Sequence, residues 1–226
     1  MKSADSFLAE LIGRFPLLKT VQPAIWRAFQ LIAGSYRKGG KLLIAGNGGS
    51  AADSNHIVGE LMKGFLSKRP LPAELQRKIL EGCDGVRNSG GRDSAGWDPG
   101  QALAEGLQQA LPAISLTEHG SLTTAFNNDV DAALTYAQQV LGYGKRGDVF
   151  LGITTSGNSR NIVNAAYLAR VMDLQTIGLT GECGGLLARI TDVCITVPEK
   201  ETYLVQELHL PVYHTLCMML ENEFFL

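Results

Sequence analysis

The sequence predicts an α/β fold in which a doubly wound, five-stranded parallel sheet is flanked by helices on both faces. Five short apolar runs lack the alternation of a half-exposed strand, which is typical of strands buried on both faces. Helical patterns separate these runs, and right-handed crossovers between them would give a parallel sheet. The length of 226 residues suits one domain over residues 1–226 with a single core.

Each predicted element has its own local signal. Residues 1–39 are predicted to be helical, because apolar side chains recur at three- and four-residue steps until Gly39 and Gly40 end the pattern. Pro23 suits the first turn of the second helix in this region. A long apolar helix is predicted over residues 204–224. The predicted strands span residues 41–45, 113–117, 148–154, 175–180 and 193–197.

One segment, at about residues 66–110, does not fit the strand-and-helix pattern and is predicted to be an insertion. It offers a helix at 72–82, a polar glycine-rich stretch up to Gly100 that is too long for a plain connection, and a second helix at 101–110. The segment is either a surface insertion or a lid or oligomer-contact arm. In the second case Arg87, Arg92 and Trp97 would be available for a ligand.

Composition and charge exclude several classes of protein. The 20 basic and 22 acidic residues give a net charge of −2, so nucleic acid and anionic membranes are not expected as partners. The longest apolar runs are too short to span a membrane, and the N-terminus lacks a secretory segment, so we expect a cytoplasmic protein. The four cysteines contain no Cys-x-x-Cys pair and are expected to be reduced.

Two glycine-bearing loops rich in hydroxyl groups each follow a predicted strand and lead into a helix. Ligands of open α/β sheets bind at the carboxyl ends of strands, and helix N-termini attract phosphate. Neither loop matches a Walker or dinucleotide-binding motif, so a smaller phosphorylated ligand is favoured. One such loop alone would be read as a helix cap, whereas two favour phosphate binding. The hydroxyl-bearing residues are Ser50, Thr154, Thr155, Ser156 and Ser159.

Two groups of polar residues on predicted helices are candidates for chemistry. His56 and Glu60 are four residues apart, so they share a helix face and either hold a divalent metal or form a weak surface pair. In the last helix, Gln206, His209 and His214 lie among apolar residues. A single histidine there would be read as a core residue, whereas two histidines and a glutamine indicate a site.

Five segments of the chain carry a specific pattern: 46–61 (GNGGSAADSNHIVGEL), 127–129 (NND), 152–159 (GITTSGNS), 179–181 (LTG) and 205–214 (VQELHLPVYH). In order and spacing they resemble the sugar isomerase (SIS) domain family, and most closely its phosphoheptose isomerase branch. The resemblance implies a three-layer, flavodoxin-like fold and a homotetramer whose active sites are shared between subunits. It also implies interconversion of sedoheptulose 7-phosphate and a D-glycero-D-manno-heptose 7-phosphate.

The resemblance also implies roles for the matching residues. His56, Glu60, Gln206 and His214 would surround a zinc ion, and no organic cofactor is implied. Glu60 would be the base and His214 the acid for proton transfer between C1 and C2, with Thr155 close to the substrate. The residues implied to hold the substrate and its phosphate are Asn47, Gly48, Ser50, Asn128, Asp129, Thr154, Ser156, Ser159 and Gln206.

The residue types suit aldose–ketose isomerisation, which removes a proton beside a carbonyl and passes through an enediol or enediolate. That chemistry needs a base, an acid for the carbonyl oxygen and a group that stabilises the developing oxyanion. Glu60 is expected to serve as the base if burial raises its pKa. A zinc ion would polarise the carbonyl or the enediolate oxygen.

Three departures from the family pattern qualify these expectations. Tyr203 stands where the family usually has an acidic residue, and the segment at 66–110 replaces a shorter connection. Pro211 lies between Gln206 and His214, which would be about 12 Å apart along a regular helix at 1.5 Å per residue. Because proline is tolerated best near a helix start, Gln206 is expected in or before the first turn.

Two alternatives to the heptose phosphate isomerase stay open. In the first, the chain is a non-catalytic SIS regulator that binds a phosphosugar or associates with a replication initiator. In the second, it isomerises another phosphosugar. The presence of His56, Glu60 and His214 together favours an enzyme, because a binding module needs no such set. The apolar residues Leu216 and Met219 also predict an oligomer, because with Phe224 they give the last helix a large apolar surface.

Overall fold

The computed structural model describes residues 2–88 and 98–226. Its centre is a five-stranded, all-parallel sheet with the strand order β2-β1-β3-β4-β5. This is the flavodoxin-like order of a doubly wound fold, in which the strand order reverses between β1 and β3. The predicted fold class is confirmed. The strands are β1 (Leu42–Gly46), β2 (Ala113–Ser115), β3 (Val149–Ile153), β4 (Gln175–Thr180) and β5 (Val193–Thr196).

Helices cover both faces of the sheet. The side chains of Leu42 and Ile44 join the core formed with α1, α2, α3 and α10, whereas Leu43 and Ala45 join the core formed with α7, α8 and α9. Both faces of β1 are therefore apolar, which explains the absence of alternation in the sequence. The helices are α1 (Ala4–Arg14), α2 (Gln22–Tyr36), α3 (Gly49–Met62), α4 (Ala73–Asn88), α5 (Pro99–Gly106), α6 (Gly120–Asp129), α7 (Thr135–Tyr143), α8 (Arg160–Val171), α9 (Leu187–Ile190) and α10 (Thr202–Phe225).

The N-terminal region is helical, as predicted, and consists of α1, a 3₁₀ segment at Pro16–Val21 and α2. Ser3 caps α1, because its hydroxyl accepts the backbone N–H of Ser6. Pro23 lies in the first turn of α2, where the missing N–H costs no helical hydrogen bond.

The segment at 66–110 is more helical than expected. Helix α4 continues through Asn88, so residues 83–88 belong to a helix rather than to a loop, and α5 begins at Pro99 and ends at Gly106 instead of spanning 101–110. Asp98 fixes the start of α5, because its side chain accepts the backbone N–H of Gln101. The side chain of Arg87, together with Arg92 and Trp97, lies outside the described residues.

Helix α10 is continuous, and two expectations about it are wrong. Pro211 lies inside the helix and Gln206 lies in its second turn rather than in or before the first. The apolar surface offered as a reason for an oligomer is absent, because Leu216 and Met219 are buried against the chain's own core and Phe224 packs at its edge. Among the described residues, no helix is both long and apolar enough to cross a membrane.

Candidate active site

The two glycine-bearing loops meet at one cavity at the carboxyl edge of the sheet. Strands β1 and β3 are neighbours at the point where the strand order reverses, so the loops that follow them lie side by side. The cavity has a volume of about 340 Å³. Its lining residues are Asn47, Gly48, Gly49, Ser50, Ile153, Thr154, Thr155, Ser159, Thr202 and Gln206.

The first loop requires glycine at Gly48 and is closely packed at Gly49. Gly48 has φ 55° and ψ −120°, a conformation that residues with a side chain rarely adopt. At Gly49, a Cβ atom would come within 2.5 Å of Nε2 of Gln206. These glycines let the chain turn sharply from β1 into α3, so that the first N–H groups of α3 lie at the cavity.

Hydroxyl groups and a second helix N-terminus complete the lining. Thr154 and Ser159 contact each other through their hydroxyls at 2.9 Å. Ser159 precedes α8, but its hydroxyl does not cap that helix and contacts Thr154 instead. Ser50 is buried in the first turn of α3. The cavity therefore combines hydroxyl donors with the positive ends of two helices, which is an arrangement that binds a phosphate.

The sequence did not point to Thr202, the first residue of α10, which brings a third helix N-terminus to the cavity. The available signal was its position four residues before Gln206, which puts both on one helix face.

Asn161 is a second residue of the site that the sequence did not indicate. Its amide exchanges two hydrogen bonds of 2.9 Å with the amide of Asn47 and so ties the first loop to α8.

Three residues implied to bind substrate lie outside the cavity lining. Ser156 is exposed, and its hydroxyl accepts the backbone N–H of Asn158. Asn128 and Asp129 end α6, where the amide of Asn128 donates to the carboxylate of Asp129 at 2.7 Å. Helix α6 buries none of its residues, so these two side chains face away from the chain's own core.

A second group of polar side chains lies between α3 and α10. The Nε2 atom of His56 is 3.2 Å from a carboxylate oxygen of Glu60 and 3.5 Å from Nε2 of His214. The other carboxylate oxygen of Glu60 accepts from Lys63 at 3.0 Å. The structure thus brings together the predicted acid, the predicted base and His56.

Tyr213 and Asp53, which the sequence reasoning missed, orient His56. The hydroxyl of Tyr213 donates to the carboxylate of Asp53 at 3.3 Å and lies 3.0 Å from Nδ1 of His56. Because that hydroxyl has a single proton, which goes to Asp53, its oxygen can accept from Nδ1 of His56 when Nδ1 carries a proton. One sign of this arrangement was present in the sequence. Asp53 precedes His56 by three residues, so the two side chains share a helix face.

Burial and nearby charges shift several pKa values in this group. Burial, with a smaller effect of the neighbouring His56, lowers the pKa of His214 below its usual value, which favours a neutral imidazole at pH 7. Burial raises the pKa of the Asp53 carboxyl, and burial together with the Asp53 charge raises the pKa of Tyr213. The tyrosine hydroxyl therefore keeps its proton.

The predicted zinc ligands are divided between two places. Gln206 lines the loop cavity, whereas His214, two turns further along α10, lines a cavity of about 250 Å³ between α1 and α10. The His56–Glu60 and His56–His214 distances are close to the roughly 3.3 Å expected between neighbouring ligands of a tetrahedral zinc ion. In the described part of the chain, no three His, Cys, Asp or Glu side chains lie in the arrangement of a metal site, so binding of zinc would require these side chains to move.

His209, the remaining polar candidate on α10, lies in the core. It is 0% exposed, and within the part of the chain that the structure describes neither ring nitrogen has a hydrogen-bond partner. Burial lowers the pKa of His209 to about 4, so the ring is neutral at pH 7. His209 is thus a core histidine rather than a member of the site.

Comparison with known proteins agrees with this architecture. The SIS domain family model matches residues 8–79 and 101–181. The phosphoheptose isomerase of Aneurinibacillus thermoaerophilus is 34% identical over 209 residues, which cover 92% of this chain and 84% of that protein. The phosphoheptose isomerase of Aliarcobacter butzleri is 32% identical over 225 residues, with coverage of 99% and 98%.

Solved structures give the same result. Phosphoheptose isomerase GmhA from Neisseria gonorrhoeae superposes with a TM-score of 0.70 at 29% identity, covering 95% of this chain and 94% of that one. A phosphoheptose isomerase from Francisella tularensis gives 0.71 at 26% identity, covering 96% of each chain. The chain belongs to the SIS domain family, in its phosphoheptose isomerase branch. It is an isomerase enzyme, and the two segments of the family model leave residues 80–100 unmatched between them.

Proposed function

We propose that this isomerase interconverts sedoheptulose 7-phosphate and a D-glycero-D-manno-heptose 7-phosphate in the cytoplasm. One observation carries the proposal. A cavity rich in hydroxyls and helix N-termini adjoins a helix, α3, that also holds the carboxylate of Glu60 and the imidazole of His56. The curated relatives and the solved structures that are named phosphoheptose isomerases support the choice of a seven-carbon sugar phosphate.

The loop cavity is proposed to hold the phosphate. Ser50, Thr154 and Ser159 donate hydroxyl hydrogen bonds, and the first N–H groups of α3 and α8 donate from the backbone. Thr155 and Gln206 line the same cavity and would contact the part of the sugar next to the phosphate. Holding the phosphate fixes the sugar chain, so that its carbonyl end is presented to the side chains between α3 and α10.

Proton transfer is assigned to Glu60 and His214. The carboxylate of Glu60 removes a proton from C1 of the ketose, the C1–C2 double bond forms, and the electron pair of the carbonyl moves to O2. The neutral imidazole of His214 donates a proton to O2 and accepts the proton of O1. Glu60 then returns its proton to C2, which gives the aldose and restores both residues.

A zinc ion at His56, Glu60 and His214 remains a proposal. Nε2 of His56 lies 3.2 Å from a carboxylate oxygen of Glu60 and 3.5 Å from Nε2 of His214, and all three atoms are of types that ligate zinc. Bound there, zinc would polarise the sugar carbonyl. Gln206 lines the neighbouring loop cavity, beside the first turn of the helix that carries His56 and Glu60. No step above depends on the metal. Metal analysis after dialysis, compared with that of His56→Ala, tests the assignment.

A homotetramer with shared sites is also proposed. Asn128 and Asp129 lie on α6, which buries no residue within its own chain, and they do not reach the chain's own cavity. If a neighbouring copy of the chain packs on α6, Asn128 and Asp129 would lie beside the sugar hydroxyls of the substrate that is bound in that neighbouring copy. A sedimentation experiment at micromolar concentration is expected to show a tetramer, and a stable monomer would contradict this part of the proposal.

The substrate assignment is tested by a panel of sugar phosphates. Zinc-supplemented protein is incubated with sedoheptulose 7-phosphate, with fructose 6-phosphate and with sedoheptulose that lacks the phosphate, and aldose formation is followed by NMR. Turnover of the heptose phosphate alone is expected. Faster turnover of the hexose phosphate would assign another phosphosugar, and tight binding without any turnover would favour a regulatory role.

A further inference from the structure

A fully buried ion pair lies behind the site, on the side of α3 that the proposed chemistry does not use. The side chains of Arg69 and Glu221 are 0% and 1% exposed, and Nε of Arg69 is 2.8 Å from Oε1 of Glu221. Arg69 follows α3 and opens the segment at 66–110, whereas Glu221 belongs to α10. The pair therefore joins α10 to the stretch of chain that follows α3, although the two residues are 152 positions apart in the sequence.

Arg69 caps the C-terminal end of α3. Its Nη1 donates to the backbone carbonyl of Leu61 at 2.8 Å, and its Nη2 donates to the carbonyl of Glu60 at 3.3 Å. The last carbonyls of a helix have no partner inside the helix, so a cation at this end satisfies them and interacts favourably with the helix dipole. Arg69 thus bonds directly to the backbone of the residue proposed as the base.

Glu221 binds both the guanidinium of Arg69 and the backbone that follows α3. Its two carboxylate oxygens accept the backbone N–H groups of Phe65 and Leu66, each at 2.7 Å, in addition to Arg69. The ring of Phe225 lies over the guanidinium of Arg69 at 4.5 Å. Each nitrogen of the guanidinium and each oxygen of the carboxylate therefore has at least one partner, which restricts the geometry of the pair.

The pair connects the two helices that carry the proposed acid and base. Glu60 is on α3 and bonds through its carbonyl to Arg69, while His214 is on α10, two turns before Glu221. We propose that Arg69 and Glu221 are positioning residues, which fix the end of α3 against α10 and thereby set the placement of Glu60 relative to His214. This inference rests on the proposed roles of those two residues.

The two ends of the segment at 66–110 are hydrogen-bonded to each other beside Arg69. The carbonyl of Arg69 accepts the N–H of Gln109 at 2.7 Å, and Pro70 pairs with Gln108 in an isolated β-bridge. The side chain of Gln108 also accepts the N–H of Gly64. The two ends of the segment at 66–110 therefore meet beside the ion pair, next to the end of α3.

Two variants test the proposal while keeping the protein folded. Arg69→Lys keeps the charge opposite Glu221 but removes the forked contact with the two carbonyls. The double variant Arg69→Met with Glu221→Leu removes both charges together, which buried ion pairs tolerate far better than the loss of one partner. Arg37→Lys is the matched control, because Arg37 follows α2 and pairs with Glu223 on the same turn of α10.

Steady-state kinetics with sedoheptulose 7-phosphate, normalised to folded protein, gives the main result. We expect kcat to fall about 10- to 100-fold in both variants, because a small misplacement of a reacting group has effects of this size. The KM is expected to stay within about twofold, because the loop cavity is untouched, and the control is expected to match the parent. An unchanged kcat in folded Arg69→Lys and in the double variant would overturn the proposal.

Amide hydrogen exchange gives a second result that needs no turnover. Both variants are expected to exchange faster at residues 57–62 than the parent, with unchanged exchange at residues 42–46 of β1. If the parent turns over no sugar phosphate, the proposed function fails while this measurement still tests the positioning. Exchange at 57–62 equal to that of the parent in both variants would show that Arg69 and Glu221 do not hold the end of α3.

Discussion

The loop cavity and the His56–Glu60–His214 group show two different ways of building a site. The cavity is made mostly of backbone and short hydroxyl side chains that follow directly from two neighbouring strands, and one chain assembles it completely. The second group depends on long side chains from α3 and α10, and only two of its contacts are close. Strand order therefore fixes the phosphate end of the site, whereas helix packing and further ligands or subunits determine the reacting end.

The largest expected effect comes from the proposed base. Glu60→Gln is expected to lower kcat by roughly 10³-fold, because the amide cannot accept the proton while the volume is unchanged. The affinity for sedoheptulose 7-phosphate, measured by calorimetry, is expected to stay within a few-fold, because the loop cavity is intact. Activity close to that of the parent would remove Glu60 as the base and leave the reacting end unassigned.

The assignment of α6 to a neighbouring copy is tested by mixing inactive variants. Asp129→Ala and Glu60→Gln, each nearly inactive alone, are expected to recover about a quarter of the parent activity when refolded together in equal amounts. Recovery follows because some sites would then combine an intact Glu60 with an intact Asp129 from another subunit. No recovery, with oligomers formed, would place both residues in one chain's site.

An effect confined to the loop cavity is expected from Thr154→Val. The change keeps the shape of the side chain but removes a hydroxyl that contacts Ser159 and faces the cavity. The KM is expected to rise about 10-fold or more, because hydrogen bonds to charged groups contribute about 1.5–3 kcal/mol, while kcat changes little. A fall in kcat without a change in KM would mean that this loop acts at the reacting end instead. Thr117→Val, a hydroxyl outside the cavity, is the control.

A stability effect of pH is expected from His209, which belongs to neither region. Its pKa is lowered from 6.5 to about 4 by burial, so protonation favours the unfolded chain. The neutral ring of His209 makes its full contribution to the free energy of unfolding above pH 6.5. That free energy falls by roughly 3 kcal/mol in total as the pH falls from 6.5 towards 4. Urea unfolding at several pH values measures this, and His209→Leu is expected to show a shallower decline. Identical slopes for parent and variant would show that the ring is already protonated or exposed.

The smallest effect is expected on the exposed face of α4. Arg77 and Glu81 form an exposed pair with side chains about 60% accessible to solvent. Arg77→Gln is expected to change the free energy of unfolding by less than about 0.5 kcal/mol and to leave kcat and KM unchanged. A clear loss of activity would indicate that the segment at 66–110 takes part in catalysis.

The sequence predicted the parts of the molecule that depend on local pattern. Buried apolar runs gave all five strands, and glycine with hydroxyl residues after two of them located the cavity. It did not predict Thr202, Asn161 or Tyr213, because their roles depend on helix packing between distant parts of the chain. The position of Pro211 also misled the prediction, because tertiary packing holds α10 continuous despite the lost hydrogen bond.

Proton transfer by Glu60 through an enediolate can be measured by the turnover of sedoheptulose 7-phosphate in deuterated water. The Glu60 carboxylate bonds to the exposed ammonium of Lys63, which offers a path for exchange with solvent. We expect deuterium at C2 of the aldose product, and neither product nor deuterium with Glu60→Gln. Turnover by Glu60→Gln at the rate of the parent, with deuterium still entering at C2, would show that another group moves the proton and would contradict the role of Glu60.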